Sequence, residues 1–506
     1  MTWLVGGVTV VSLLLCDIRW LRVSQREHYS PKQACFFAGI WLLSRPANIG
    51  AAIAIIGLAI YGIRDLRATG LAMILLCFWP LGLGIRGRTG RLAWTGRARR
   101  LAGMLLTLQA CLFTLLFLKA TWSVGWLALL TPILVDFAAM SMGPLEGRMS
   151  SKFVLSAQRK LDAISPRIVG ITGSYGKTTT KLYVRHLLEG TEGVLASPGS
   201  YNNLMGLCRT INENLSSGTS ILVAEMGTYG EGEIRELCRT FPPYVAVIVS
   251  IGEAHLARMK SRATIVRAKS EITENSQASV LNVDVPELAQ LADSLEGRQM
   301  VIRCSANPAS VDANIVVSEA EGRWLIKVDG QVVGDTVRPG FGHPINLACA
   351  WGVALALGVD PSPLQLQRSL PVPPHRAEVH RTPGGVQVID DTYNSNPTGA
   401  ARAVNSAMEE LPDGACLYVV SPGMVELGEY QDRRNEEFAR LVVGHPNAML
   451  VIVGRTNRSA LRSGANGGID QILFFHTRDE ATRAVTSRLK AKDVILYEND
   501  LPDHYP

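Results

Sequence analysis

The segment GITGSYGKTTTK, residues 170–181, governs how everything around it is read. The apolar run RIVGIT leads into it, and KLYVRHLL, with helical spacing, continues from it. A strand, a glycine turn and a helix in that order aim backbone N–H groups and a helix N-terminus at a phosphate. The spacing is TGxxGKT, tighter than GxxxxGK[ST]. It still leaves Lys177 within reach of β- and γ-oxygens and Thr178 placed for Mg²⁺. Gly173, Ser174, Tyr175, Gly176, Lys177, Thr178 and Thr179 form the predicted nucleotide cradle.

Upstream the composition changes. Residues 1–150 carry 15 Lys/Arg against 5 Asp/Glu, and the remainder carries 35 against 39. The basic charge thus belongs to the apolar first part, and nucleic acid is not an expected partner. WLVGGVTVVSLLLC opens the chain without a preceding basic residue or a small-residue cleavage site, so it reads as a retained first helix. Further spans are expected at 46–63, 70–85, 101–119 and 124–141. Arg19, Arg22, Arg26, Lys32 and Arg45 flank one loop, and Arg86, Arg88, Arg91, Arg97, Arg99 and Arg100 crowd another. By the positive-inside rule this gives five crossings, contact with a lipid bilayer and a multi-pass plasma-membrane location with cytoplasmic catalytic domains. Nine cysteines stand singly with no CxxC pair, as suits a reducing compartment.

Downstream, SILVAEMGTYGEGEI runs a buried strand into Glu225, and YVAVIVSIGEAHLARM runs another into Glu253 and His255. Polar groups at the carboxyl ends of parallel strands are where doubly wound sheets place ligands. VRAKSEI adds Lys269, which taken alone is a solvated lysine. ACLYVVSPGMVELGEY, AMLVIVGRTN, QILFFHT and DVILYEND then alternate with helical stretches, the pattern of a small Rossmann-like domain.

TGSYGKTTT, SPGSYNNLMG, AEMGTYGEGEI, SIGEAHL, RAKSEI, GFGHPINLACA, HRAEV and VIDDTYNSNPTGA occur in that order. Together they resemble the Mur ligases, in particular the branch that adds D-alanyl-D-alanine to the cell-wall precursor, over residues 165–500. The resemblance implies an ATP-dependent acid–amino acid ligase that makes an acyl-phosphate and lets an amine displace phosphate. It implies that Thr178 and Glu225 hold one Mg²⁺, and that His255 and a carbamylated Lys269 hold a second. Lys177, Arg376, His255 and Lys269 become the implied catalytic set. Asn346 and Asp391 join the nucleotide, and Asn202, Asn203, Tyr393, Asn394 and Asn396 face the substrate. Unaided, the residues allow a plainer reading of two positions: His343 as a helix-start residue, and the Asn-Pro turn before Pro397 as a helix cap.

The expected architecture is an N-terminal α-helical membrane bundle (1–147), a P-loop α/β central domain (148–370) and a smaller Rossmann-like C-terminal domain (371–506). Two stretches depart from the resemblance. The helices stand where Mur ligases carry a domain for the UDP of their substrate. The chain ends in YENDLPDHYP, where the D-alanyl-D-alanine branch carries Lys-Gly-Ser-Arg. The expectation is a membrane-anchored amide ligase of peptidoglycan biosynthesis, taking an amino acid or peptide and a lipid-linked acceptor. The alternatives are a poly-γ-glutamate or capsule-type synthetase and a nucleotide-driven transporter.

Overall fold

The computed structural model describes the chain except residues 1, 87–90, 191–192, 200, 255, 341, 362–365, 394 and 502–503. The predicted His255 and Asn394, and Arg88 of the basic loop, therefore lie outside the described residues. The chain forms two compact units. One comprises Met1–Met149, Gly454–Thr456 and Leu501–Pro506; the other comprises Ser150–Val453 and Asn457–Asp500.

The first unit is helical. Its interior includes Trp20, Phe37, Trp41, Met73 and Leu105, all buried. Arg19 is also buried and donates to the carbonyls of Leu83 (3.0 Å), Trp79 (2.8 Å) and Cys77 (2.7 Å). The chain terminus packs into this unit. Trp41 Nε1 donates to the His504 carbonyl at 2.8 Å, and His504 Nε2 lies 2.9 Å from Glu27 Oε1.

These helices do not form five crossings. Among the described residues two, Trp3–Arg26 and Gly96–Lys119, are long and apolar enough to cross a membrane, and up to four spans exist if each of two bent pairs is one. The expected spans at 46–63 and 70–85 are the helices Pro46–Tyr61 and Leu66–Phe78, of 16 and 13 residues. At 1.5 Å per residue they reach about 24 and 20 Å, against a hydrocarbon core of roughly 30 Å. The hydropathy reading overcounted because it scored apolar stretches without knowing where each helix stops. The five-crossing topology fails with that count.

In the second unit β1 (Arg167–Thr172), β2 (Val194–Ala196), β3 (Ile221–Glu225), β4 (Val245–Ile248), β5 (Ala278–Asn282), β6 (Met300–Ser305), β7 (Ile315–Ala320), β8 (Arg323–Val328) and β9 (Gln331–Val337) make one sheet. Its order is β2-β3-β1-β4-β5-β6-β7-β8-β9, parallel through β7 and antiparallel beyond. β3, β4 and β5 are buried along their whole length, as central parallel strands covered on both faces must be. The helices Lys177–Leu187 and Pro344–Ala356 cover one face; Leu204–Asn214, Glu233–Thr240 and Arg262–Ser270 cover the other.

A second sheet holds β10 (Glu378–Arg381), β11 (Gln387–Asp391), β12 (Leu417–Ser421), β13 (Ala448–Val453), β14 (Ile472–Phe475) and β15 (Val494–Glu498), in the order β10-β11-β15-β12-β13-β14. Only β10 runs antiparallel to its neighbour. Both α/β halves match the expected fold class. An N-terminal helical region precedes them, without an established membrane role.

Candidate active site

After β3 the chain passes β1 and resumes at β4, so the strand order reverses at β1. The carboxyl ends of β1, β3 and β4 open there, where an α/β sheet leaves room for a ligand. β1 delivers the turn Gly173–Gly176. Ser250, just beyond β4, shapes it: its Oγ donates to the Tyr175 carbonyl (2.8 Å) and accepts from Tyr175 N (2.9 Å), while its carbonyl accepts from Ser174 N (3.0 Å). Gly176 has φ +83°, a left-handed conformation, and a Cβ there would lie 2.4 Å from Asn346 Oδ1. Glycine is required at this point of the cradle.

Lys177 opens the helix and folds back, donating to the Gly173 carbonyl at 2.7 Å. Thr178 Oγ1 donates to Glu225 Oε2 at 3.0 Å, and Asn202 Nδ2 donates to Glu225 Oε1 at 3.3 Å. Lys181, which the sequence reading passed over, ion-pairs with Glu225 Oε2 at 3.1 Å with both side chains 2% exposed. Burial alone would raise the Glu225 carboxyl, but Lys181 and Lys177 outweigh it and hold it below the ordinary carboxylate value. Lys269 is buried, 3% exposed, and burial followed by the charge of Lys177 pushes its ammonium well below the ordinary lysine value. The solvated reading of Lys269 is wrong: the helix Arg262–Ser270 packs it inward.

A cavity of about 300 Å³ adjoins this cluster, lined by Tyr175, Gly176, Thr179 and Asn346 from one sheet's side and by Arg376, Asp391 and Asn396 from the other's. The Asn346 carboxamide accepts from Thr180 Oγ1 at 3.3 Å. Arg376 lies over the Tyr393 ring, 4.5 Å from its centroid, and Asp391 Oδ1 accepts from Ala377 N at 3.1 Å. The plainer reading holds at two positions. His343 Nδ1 accepts from Ile345 N at a helix start, and Asn396 caps Pro397–Glu409 by accepting from Gly399 N at 2.9 Å. Asn203 likewise caps Leu204–Asn214.

Glu253 lines a second cavity with Tyr175 and Arg434. It pairs with Arg434, whose Nε lies 2.7 Å from Glu253 Oε2, and so ties the loop after β4 to the helix Gln431–Val443. Ser250, Lys181 and Arg402 are the site residues that the sequence reading missed. Lys181 alone carried a signal: a cation one turn after Lys177 on a helix whose neighbours are buried.

Among the described residues no three His, Cys, Asp or Glu side chains converge as a metal cluster. The Glu225 carboxylate and the Thr178 hydroxyl are hard oxygen donors at the mouth of the cradle. That fits Mg²⁺, which takes one or two protein oxygens and keeps water and phosphate for the rest.

Comparison with known proteins matches residues 171–353 to the Mur ligase middle domain and residues 375–497 to the Mur ligase, glutamate ligase domain. The chain belongs to the Mur ligase family. It is similar to the UDP-N-acetylmuramoyl-tripeptide–D-alanyl-D-alanine ligase of Mycobacterium tuberculosis (strain ATCC 25618 / H37Rv), 33% identical over 329 residues, 62% of this chain and 64% of the relative. The ligase of the same name from Bacillus subtilis is 26% identical, over 68% of this chain and 75% of its own length. Among solved structures, the MurF ligase from Thermotoga maritima in complex with ADP superposes with a TM-score of 0.61 at 25% identity, covering 69% of this chain and 80% of its own. The chain thus spans about 64% of the length of the mycobacterial relatives it matches.

The relatives are named for a nucleotide-linked tripeptide. Together with the helix count, this overturns the plasma-membrane location and leaves the bilayer and the lipid-linked acceptor without support.

Proposed function

We propose that this Mur ligase is an ATP-dependent amide ligase that joins D-alanyl-D-alanine to the terminal carboxylate of a nucleotide-linked peptide. The observation that carries the reading is the gathering of Lys177, Thr178, Glu225 and buried Lys269 at the carboxyl ends of β1 and β3, beside a cavity of about 300 Å³. The substrates are those in the names of the similar enzymes. In this reading residues 148–370 bind the nucleotide and residues 371–506 close over it.

The carboxylate oxygen of the acceptor attacks the γ-phosphorus of ATP, and the bond to the β,γ-bridging oxygen breaks to release ADP. The amine nitrogen then attacks the acyl carbon, phosphate leaves, and the nitrogen gives up a proton. Charge grows on the transferred phosphoryl oxygens, so fixed cations in a partly dry site lower the barrier. Lys177 supplies one such cation when its ammonium swings from the Gly173 carbonyl to phosphate. Arg376 supplies a second from the opposite wall. Asn346 and Asp391 orient the nucleoside, and Asn202 and Tyr393 line the approach of the acceptor. Thr178 and Glu225 would hold Mg²⁺, which neutralises phosphate charge when bound. Burial favours the neutral Lys269 amine, the form that takes up carbon dioxide to become a carbamate.

The test is phosphate release by the purified full chain, given ATP, Mg²⁺, UDP-linked tripeptide and D-alanyl-D-alanine, against mixtures lacking one substrate. Release that needs both substrates and disappears in Lys177→Ala supports the reading. Release that is the same without the dipeptide overturns it.

A further inference from the structure

Glu498 ends β15 and stands in parallel register with Asp391, the end of β11. It is 1% exposed. Ser395 Oγ donates to its Oε1 at 2.5 Å. Its Oε2 is buried and has no donor among the described residues. The group within hydrogen-bonding reach is the Asp391 carboxyl, itself an acceptor. Two carboxylates cannot face each other out of water, whereas a single proton between them converts the orphan oxygen into a bonded one.

The charged groups acting on the pair are few. Arg376, from the segment before β10, and Arg402, from the helix Pro397–Glu409, act on Asp391; Asp391 is the charge that acts on Glu498. Arg376, Arg402 and Asp391 all line the cavity. The sequence also points here, because Glu498 falls in the stretch YENDLPDHYP that departs from the basic ending of the D-alanyl-D-alanine branch.

We propose that Asp391 and Glu498 hold one proton between them, so that a single negative charge meets Arg376 and Arg402 at the cavity wall and Glu498 serves as a positioning residue for Asp391. Only the naming of that cavity as a nucleotide site rests on the function proposed above. Burial and the neighbouring Asp391 push the Glu498 carboxyl well above the ordinary range, and burial raises Asp391 as well, the direction in which the pair keeps a proton that free carboxylates have released.

The sign of the pH dependence follows by linkage. The folded pair binds a proton that an unfolded glutamate releases near pH ~4.3. Wild-type stability therefore declines as pH rises above that value, until the folded pair itself deprotonates. Glu498→Gln keeps the shape of the protonated acid and carries no such proton.

The experiment compares melting temperatures of the full-length wild type, Glu498→Gln and Asp391→Asn at intervals from about pH 5 to 8. The difference, Gln variant minus wild type, is expected to grow by about 3 °C per pH unit. Asp391→Asn removes the neighbouring charge, and its difference is expected to grow with the same sign and a smaller slope. A constant offset in both variants overturns the proposal. ADP titrations on the same samples separate the two readings. Affinity that holds level across this range in the wild type and in Glu498→Gln, but changes in Asp391→Asn, supports a single charge acting at a nucleotide cavity. Absence of ADP binding in every sample removes the nucleotide assignment, while the melting curves still decide the shared proton.

Discussion

Replacing Glu225 with Gln tests whether the buried Lys181–Glu225 pair organises the cradle. The two side chains are each 2% exposed, and among the described residues Lys181 otherwise donates to the Gly199 carbonyl, at 2.6 Å. Glu225→Gln leaves a buried ammonium without its counter-charge, a loss of about 3–5 kcal/mol when one member of such a pair is removed. In a domain of this size, each kcal/mol lowers the melting temperature by about 2–4 °C, so a fall of roughly 6–20 °C is expected. Lys181→Met strands the carboxylate less severely, because Thr178 Oγ1 and Asn202 Nδ2 still donate to it. The double variant buries no net charge at this point. Its destabilisation should fall short of the sum of the single losses by about 2 kcal/mol. The assay is a double-mutant cycle by thermal and denaturant unfolding at fixed pH and salt. Additive losses would refute the reasoning, since they would mean that the two charges do not depend on each other.

Three further outcomes are expected. Gly176→Ala forces a left-handed alanine whose Cβ meets Asn346 Oδ1, so ADP affinity should fall by at least about tenfold, from roughly 1–2 kcal/mol of backbone strain plus the displaced amide; calorimetric titration checks it. His375 Nδ1 lies 2.7 Å from Asp390 Oδ2, and that hydrogen bond raises the imidazole above its ordinary value of about 6.5. Its stabilisation is complete below about pH 6.5 and fades as pH rises through the raised folded value. Imidazole NMR titration should show the raised value fall back in Asp390→Asn. Deleting residues 501–506 removes the acceptor of Trp41 Nε1 and the ring packed on Phe37, so the variant should melt earlier and alter tryptophan emission; Trp41→Phe in both backgrounds assigns the change.

Much of the chemistry was legible because it is local. TGSYGKT encodes strand, turn and helix within seven residues, and the positions of Lys177 and Thr178 follow from that order alone. Glu225 and Asp391 were legible because each ends an apolar strand, and strand ends are where parallel sheets meet ligands. Lys269 was named only through a family resemblance, since nothing within a few residues announces burial. The spans were misjudged for a related reason. Hydropathy measures how apolar a stretch is, whereas spanning also requires an uninterrupted helix of sufficient length.

What the residue order determined by itself is the kind of element at each point and the side chains carried to its end, since turn chemistry and apolar periodicity act over a few residues. Partnership between distant side chains was decided by the tertiary structure. Lys181 meets Glu225 because β3 lies beside β1, and Glu498 meets Asp391 because β15 inserts between β11 and β12. Strand order depends on how whole layers bury their faces, and no short window of sequence contains that balance.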